Sequence, residues 1–257
     1  MAARRKGTNG KSKDSEPVTT QLLIYERARP ISKAKHGNWS VKLSDDFSFA
    51  RHINSVPLTS VEFAPAAAEY AIVFAGTEDE VMPIVLLGAR EDQNAFVGED
   101  GKWDARYVPA FIRRYPFVFS LSEDEKTFIA CIDEEFSGCN QDGVGERLFD
   151  TEGNKTQYVG NVLNFLNAYQ TQFLRTQEFC KRLVELELLE TMQAQIKLEE
   201  TQELLNLTGF KAISRDKLKQ LDGKTLAELA KTDELELAYL HLQSMNNVGR
   251  MAERLAP

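Results

Sequence analysis

Thr156-Gln157-Tyr158-Val159-Gly160-Asn161-Val162-Leu163-Asn164-Phe165-Leu166, continuing to Val184, is the stretch where the chain's apolar pattern becomes helical. Tyr158, Val162, Phe165, Leu166, Tyr169, Phe173, Thr176, Cys180, Leu183 and Val184 recur at three and four. That spacing draws one apolar face over about seven helical turns. Thr156 has the hydroxyl that an N-cap needs. Before this helix the pattern is that of short strands, so the two halves together define an α+β protein.

Upstream, from about residue 19 to 155, β-rich runs alternate with turn signals. Val56, Leu58, Val61 and Phe63 bracket a polar stretch, and Pro65-Ala66-Ala67-Ala68-Glu69 suits one or two helical turns. Ala71 to Ala75 and Val81 to Leu87 form an apolar hairpin around the acidic turn Gly76-Thr77-Glu78-Asp79-Glu80. Pro109 to Pro116 encloses a short helix. The strands Phe117 to Leu121 and Phe128 to Ile132 follow, joined across Ser122-Glu123-Asp124-Glu125-Lys126. Asp133 to Glu146 is acidic, glycine-containing and irregular.

Downstream, Ala194 to Leu198 and Leu205 to Leu207 alternate as strands do, while local propensity favours helix, so periodicity alone leaves both open. Three short helices with starts at Ser214, Thr225 and Asp233 then close the chain, the last carrying Leu235, Tyr239, Leu242 and Met245.

Composition bounds the class. The chain has 257 residues, 42% hydrophobic and 27% charged, with a net charge of -8. It is long enough to bury a sizeable core. An acidic balance disfavours nucleic acid, whose affinity for proteins comes from clustered Lys and Arg. Arg4, Arg5, Lys6, Lys11 and Lys13 make the exception, in a polar leader over residues 1–18 that reads as a disordered basic tail. Residues 19–257 then form one α+β domain. The longest apolar run, Val81 to Leu87, falls far short of the about 20 residues a spanning helix needs, so no membrane span is expected. The leader lacks the apolar core of a secretory signal, and three cysteines suit reduced thiols in a cytoplasmic protein.

The common signatures of chemistry fail on spacing. His36, His52 and His241 are the only histidines, and Cys131 and Cys139 stand too far apart for a finger, so no metal is expected. Asp150-Thr151-Glu152-Gly153-Asn154 places its glycine fourth, where a calcium loop needs it sixth. Gly138, Gly143 and Gly145 open like a phosphate loop, but Val144 follows where lysine is required. Leu148 takes the third glycine position of a dinucleotide fingerprint, and no Gly-x-Ser-x-Gly elbow occurs. No cofactor is expected. What remains is Asp133-Glu134-Glu135 after an apolar strand, with Ser137, Cys139 and Asp142 nearby. These acids form either a solvated loop or carboxylates at a strand end, where sites often lie. A carboxylate/histidine site would use Asp133 and Glu134 with His52 or His241. Ser244 and Asn247, one turn apart, are ligand-binding candidates or packing bridges. His241 shares a face with Leu237 and Met245, which points it to the interior as a neutral imidazole.

The ordered set Tyr115-Pro116-Phe117, Cys131-Ile132-Asp133-Glu134, Leu148-Phe149-Asp150 with Gly153 and Thr156, and Leu240-His241-Leu242-Gln243-Ser244-Met245-Asn246-Asn247 resembles the SapC family of bacterial proteins. Val56-Pro57-Leu58, Glu62-Phe63 and Tyr70-Ala71-Ile72-Val73-Phe74 extend the likeness over about residues 35 to 250, with Ala71 where the family pattern has proline. The resemblance favours the hairpin, Ala194 to Leu198 with Leu204 to Thr208. It implies a non-catalytic accessory or binding protein acting with a protein partner, in an uptake or modification system linked to TonB-dependent receptors and tryptophan-halogenase-like flavoproteins. An enzyme of unrecognised type and a surface-layer-associated component are the alternatives.

Overall fold

A computed structural model describes residues 23–77, 80–122, 126–198 and 201–255, so the basic leader lies outside the described residues. The strands are β1 (Ala28–Pro30), β2 (Ser40–Val41), β3 (Ser55–Pro57), β4 (Ile72–Ala75), β5 (Met82–Leu86), β6 (Phe117–Leu121), β7 (Phe128–Asp133), β8 (Cys139–Asn140), β9 (Glu146–Arg147), β10 (Leu189–Lys197) and β11 (Leu204–Ile213). The helices are α1 (Lys33–His36), α2 (Phe63–Ala67), α3 (Ala110–Arg113), α4 (Gln157–Glu185), α5 (Arg215–Gln220), α6 (Gly223–Lys231), α7 (Glu234–Ser244) and α8 (Asn247–Arg254). The protein is α+β, strand-rich first and helix-dominated from α4 onward.

Among the described residues all strand pairings are antiparallel and fall into three sheets, β1-β7-β6, β10-β11-β4-β5-β3 and β8-β2-β9. In the five-stranded sheet, Ile72, Val73 and Phe74 are all fully buried. A strand covered on both faces has no polar face to display, which is why β4 is an unbroken apolar run.

The ambiguous segment is a hairpin, and a longer one than alternation marks out, pairing Leu189 with Ile213 at one end and Lys197 with Leu204 at the other. Met192, Ala194, Ile196, Leu205, Leu207 and Phe210 pack on one side against α8 through Val248, Met251, Ala252 and Leu255. Glutamines and Asn206 face outward, and this one-sided burial produces the alternation. The register shifts between Met192 and Ala194, with the extra residue on β11, where Gly209 takes φ +83°. Glycine meets that left-handed conformation without the strain another residue would carry.

α4 starts where expected, with the Thr156 hydroxyl accepting from the Val159 amide at 3.4 Å. The closing helices number four among the described residues. Ser214 and Asp233 precede α5 and α7, but α6 begins two residues before Thr225, because the Asp222 carboxylate caps the amides of both Lys224 and Thr225. The last apolar stretch breaks after Ser244, and α8 continues the chain. Val61 and Phe63 lie in a 3-10 turn and at the head of α2, because a Thr59–Glu62 capping box opens a helical segment there. Within Asp133 to Glu146, two-residue strands β8 and β9 flank β2.

The largest buried cluster joins Phe63 and Phe74 from the strand-rich half to Phe179, Leu183, Leu218 and Ala238 from the helical half. A second sits under the β10–β11 hairpin. A third sets β6 and β7 against the first turns of α4, through Phe117, Ile132, Val159 and Leu166.

Candidate functional site

At the end of β7 three acidic residues follow one another and have different fates. The Asp133 carboxylate is fully buried, and accepts from the amides of Glu26 at 2.8 Å, Arg27 at 2.9 Å and Glu135 at 3.1 Å. Tyr115 adds a long hydroxyl contact at 3.4 Å. A carboxylate so surrounded fastens the chain entering β1 to the end of β7, a structural role that leaves little of it for a substrate. The Cys139 thiol, 3.7 Å from the Asp133 carbonyl, is pushed up to about 11 by burial and stays a thiol at neutral pH.

Glu134 turns the other way, toward α1. Its Oε1 pairs with Lys35 and lies 3.2 Å from His36 Nε2, while Oε2 lies 3.3 Å from Arg27 Nε. Burial opposes its ionisation, but Lys35 and His36 outweigh burial and hold its carboxyl below the usual glutamate value. The His36 ring is fully buried, and its Nδ1 accepts from the Ser32 amide at 3.2 Å. Nε2 therefore carries the proton and donates to Glu134. Burial lowers the His36 pKa against the pull of the carboxylate, so this is a neutral imidazole. Glu135, beyond it, pairs with Arg27 at 2.8 Å in the open.

This cluster fixes α1 as one wall of a cleft of about 490 Å³. Lys33, Lys35 and Trp39 line it from α1 and the residues after it, and Arg147, Asp150 and Thr151 from β9 and the following turn.

The other candidates lie apart. His52 is exposed and pairs with Asp92 at 3.0 Å. His241 is fully buried on α7, its Nε2 accepting from the Ile213 amide at 3.0 Å and its Nδ1 donating to the Ile72 carbonyl at 2.9 Å. Burial lowers its pKa to about 4. Ser244 accepts from the Ile72 amide at 3.0 Å and donates to the His241 carbonyl at 2.7 Å. Asn247 donates to the carbonyls of Ala67 at 2.8 Å and Tyr70 at 2.9 Å. His241, Ser244 and Asn247 thus form one latch that ties α7 and α8 to β4, β11 and the end of α2. Among the described residues no hydrogen bond or ion pair joins Asp133, His52 and His241, and no group of three or more metal-ligating side chains gathers.

A second surface of interest is the outer end of the β6–β7 hairpin. The bonds from Ser122 N–H to Thr127 and from Asp133 N–H to Pro116 set the phase of this ladder. Phe119 and Leu121 consequently turn their N–H and C=O groups away from β7, and β6 is the sheet's edge. The face shared by Phe117, Phe119, Leu121, Phe128 and Ile132 packs on α4 at its inner end. Beyond the helix it is largely exposed among the described residues. Leu121 is 50% and Phe128 46% exposed, with Phe128 stacked on Phe119 at 5.6 Å.

Sequence reasoning named Glu134 but not its partners. His36 and Glu134 are 98 positions apart, and only the pairing of β1 with β7 brings α1 to the acids. No spacing signal could have marked them.

The architecture is that of an antiparallel α+β protein with a long helix and a hairpin-bearing helical half. A family model described as SapC matches residues 31–251, and the chain belongs to the SapC family. Comparison with curated proteins and with solved structures gives no match.

Proposed function

We propose that this protein is a non-catalytic accessory protein that works by binding a protein partner, and that the partner adds an extended apolar segment to the edge of β6. The observation that supports this reading is the coincidence of outward-facing main-chain groups at Phe119 and Leu121 with an apolar face that outruns its covering helix. Soluble proteins normally blunt such an edge with charge, proline or a cover. Strand addition uses both features at once, backbone bonds for affinity and alternate side chains for specificity. Glu123, Asp124 and Glu125 follow β6 in the sequence, and their charge favours a segment flanked by basic residues. An uptake or modification system with TonB-dependent receptors and tryptophan-halogenase-like flavoproteins is the proposed setting, and cytoplasmic placement belongs to the same proposal. Among the described residues no helix is long and apolar enough to cross a membrane.

The test is a photo-crosslinking residue placed at position 121 or, as a control, at the equally exposed Leu174 on α4, in cells of the native host. The proposal expects one discrete protein adduct from position 121 and none from 174, lost when Phe128→Ser is added. Equal labelling from both positions, or none from either, would refute it. An adduct with a second copy of the chain would replace the partner by a dimer.

An enzyme reading draws on the imidazole–carboxylate pair behind the cleft. Yet the His36 and Glu134 side chains are only 0% and 2% exposed, and both imidazole nitrogens already have partners. That geometry favours holding α1 over transferring a proton to a substrate.

A further inference from the structure

The cleft beside α1 is independent of the β6 edge, and its walls have a charge pattern of their own. Among the described residues, Lys33, Lys35 and Arg147 line it against a single carboxylate, Asp150. That carboxylate faces its own turn, where its Oδ1 accepts from the amides of Glu152 at 2.9 Å and Asn154 at 2.8 Å. Lys35 is held by Glu134. Lys33 lies across the turn and donates one bond to the Glu152 carbonyl at 2.9 Å, leaving two ammonium protons for other acceptors. Its path is possible only because residue 153 is glycine. A Cβ there would stand 1.9 Å from Lys33 Cε, and the backbone has φ +86°.

Arg147 is the exception to this tidy pairing. Strand β9 holds its backbone opposite Ser40, yet its guanidinium makes no hydrogen bond or ion pair with any of the described residues. A guanidinium offers a rigid planar fork that matches a carboxylate or phosphate with two parallel bonds. A cleft of about 490 Å³ has the size of a small-molecule site, which typically spans roughly 300–1,000 Å³. The rest of the lining includes Gln141 and Thr151, hydrogen-bonding groups suited to a polar ligand.

We propose that this cleft binds a small hydrophilic anion, with Arg147 gripping a carboxylate or phosphate group in bidentate fashion and the Lys33 and Lys35 ammonium groups adding positive charge to the same cleft. The anion goes beyond partner binding at β6 and does not depend on it.

The experiment is isothermal titration of the full chain with inorganic phosphate and, separately, with citrate, at constant ionic strength. Arg147→Gln is compared with Arg106→Gln, which removes an exposed cation outside the cleft. Circular dichroism checks that each variant is folded. At least one probe is expected to saturate a single site on the wild type. Arg147→Gln should weaken it at least tenfold, Lys33→Gln several-fold, and Arg106→Gln not at all. Saturation by phosphate alone assigns a phosphorylated ligand, and by citrate alone a carboxylate. The proposal is overturned if neither probe saturates, or if the Arg147 and Arg106 variants bind alike. Should Arg147→Gln not fold, wild-type affinity in Lys33→Gln would overturn it equally.

Discussion

Two of the three histidines are fully buried, and the structure holds them in opposite tautomers. At His241 the Ile213 amide donates to Nε2, so the proton sits on Nδ1 and bonds the Ile72 carbonyl. At His36 the Ser32 amide donates to Nδ1, so the proton sits on Nε2 and bonds the Glu134 carboxylate. In each ring one nitrogen faces a main-chain N–H, and protonating that nitrogen would set donor against donor. Both rings are therefore held neutral, one inside an uncharged latch and the other beside an ion-pair cluster at a cleft. Burial and residue type are alike in the two places. Only the neighbours tell a core fastener from the support of a cleft wall.

The comparison breaks most sharply at His241. His241→Ala leaves a buried amide and a buried carbonyl without partners and opens a cavity next to Phe74, so chemical denaturation should show a loss of about 4 kcal/mol. Acid should reveal the same site in the wild type. A histidine whose folded pKa is about 4 against an ordinary 6.5 gives stability that is complete above pH 6.5 and disappears as the pH falls toward 4. The unfolded chain binds the extra proton in that window, for a total of about 3 kcal/mol. Denaturation midpoints between pH 7 and 4 measure it, and His241→Gln should flatten the profile.

Glu134→Ala should cost less, about 2 kcal/mol, mainly for the orphaned His36 N–H, because Lys35 and Arg27 are half in water and regain solvent. It should also loosen α1 and weaken any anion bound in the cleft, whereas His241→Ala should leave cleft affinity unchanged per folded molecule. Arg27→Ala marks the small end of the scale. Its side chain is 51% exposed, so a change under about 1 kcal/mol is expected from the same denaturation experiment.

What the sequence revealed and concealed follows the same division between local and distant causes. α4 was legible because its face and its Thr156 cap are local. So was the hairpin of β4 and β5. The β10–β11 hairpin was ambiguous because its alternation reflects one-sided packing on α8, an element more than 30 residues later, and the family resemblance chose correctly where local propensity did not. Helix α6 starts early because Asp222, not Thr225, supplies the capping oxygens. The inward reading of His241 was available from its helical face, but the receiving groups on β4 and β11 were not. His36 lay in view as one of three histidines, without any spacing to tie it to Glu134. Asp133 was noticed as a strand-end acid, but two of the three backbone amides that occupy it, those of Glu26 and Arg27, arrive only with the return of β1 to β7.

The claim at the centre of this account is that both buried imidazoles are neutral, structural and of opposite tautomer. Nitrogen-15 NMR of the histidine side chains, followed from pH 8 to pH 4, addresses it directly. A protonated Nδ1 at His241 and a protonated Nε2 at His36 are expected at neutral pH, with His241 remaining neutral until about pH 4 and His36 titrating below the ordinary histidine value. An imidazolium at either buried position at pH 7, or the same tautomer at both, would contradict it.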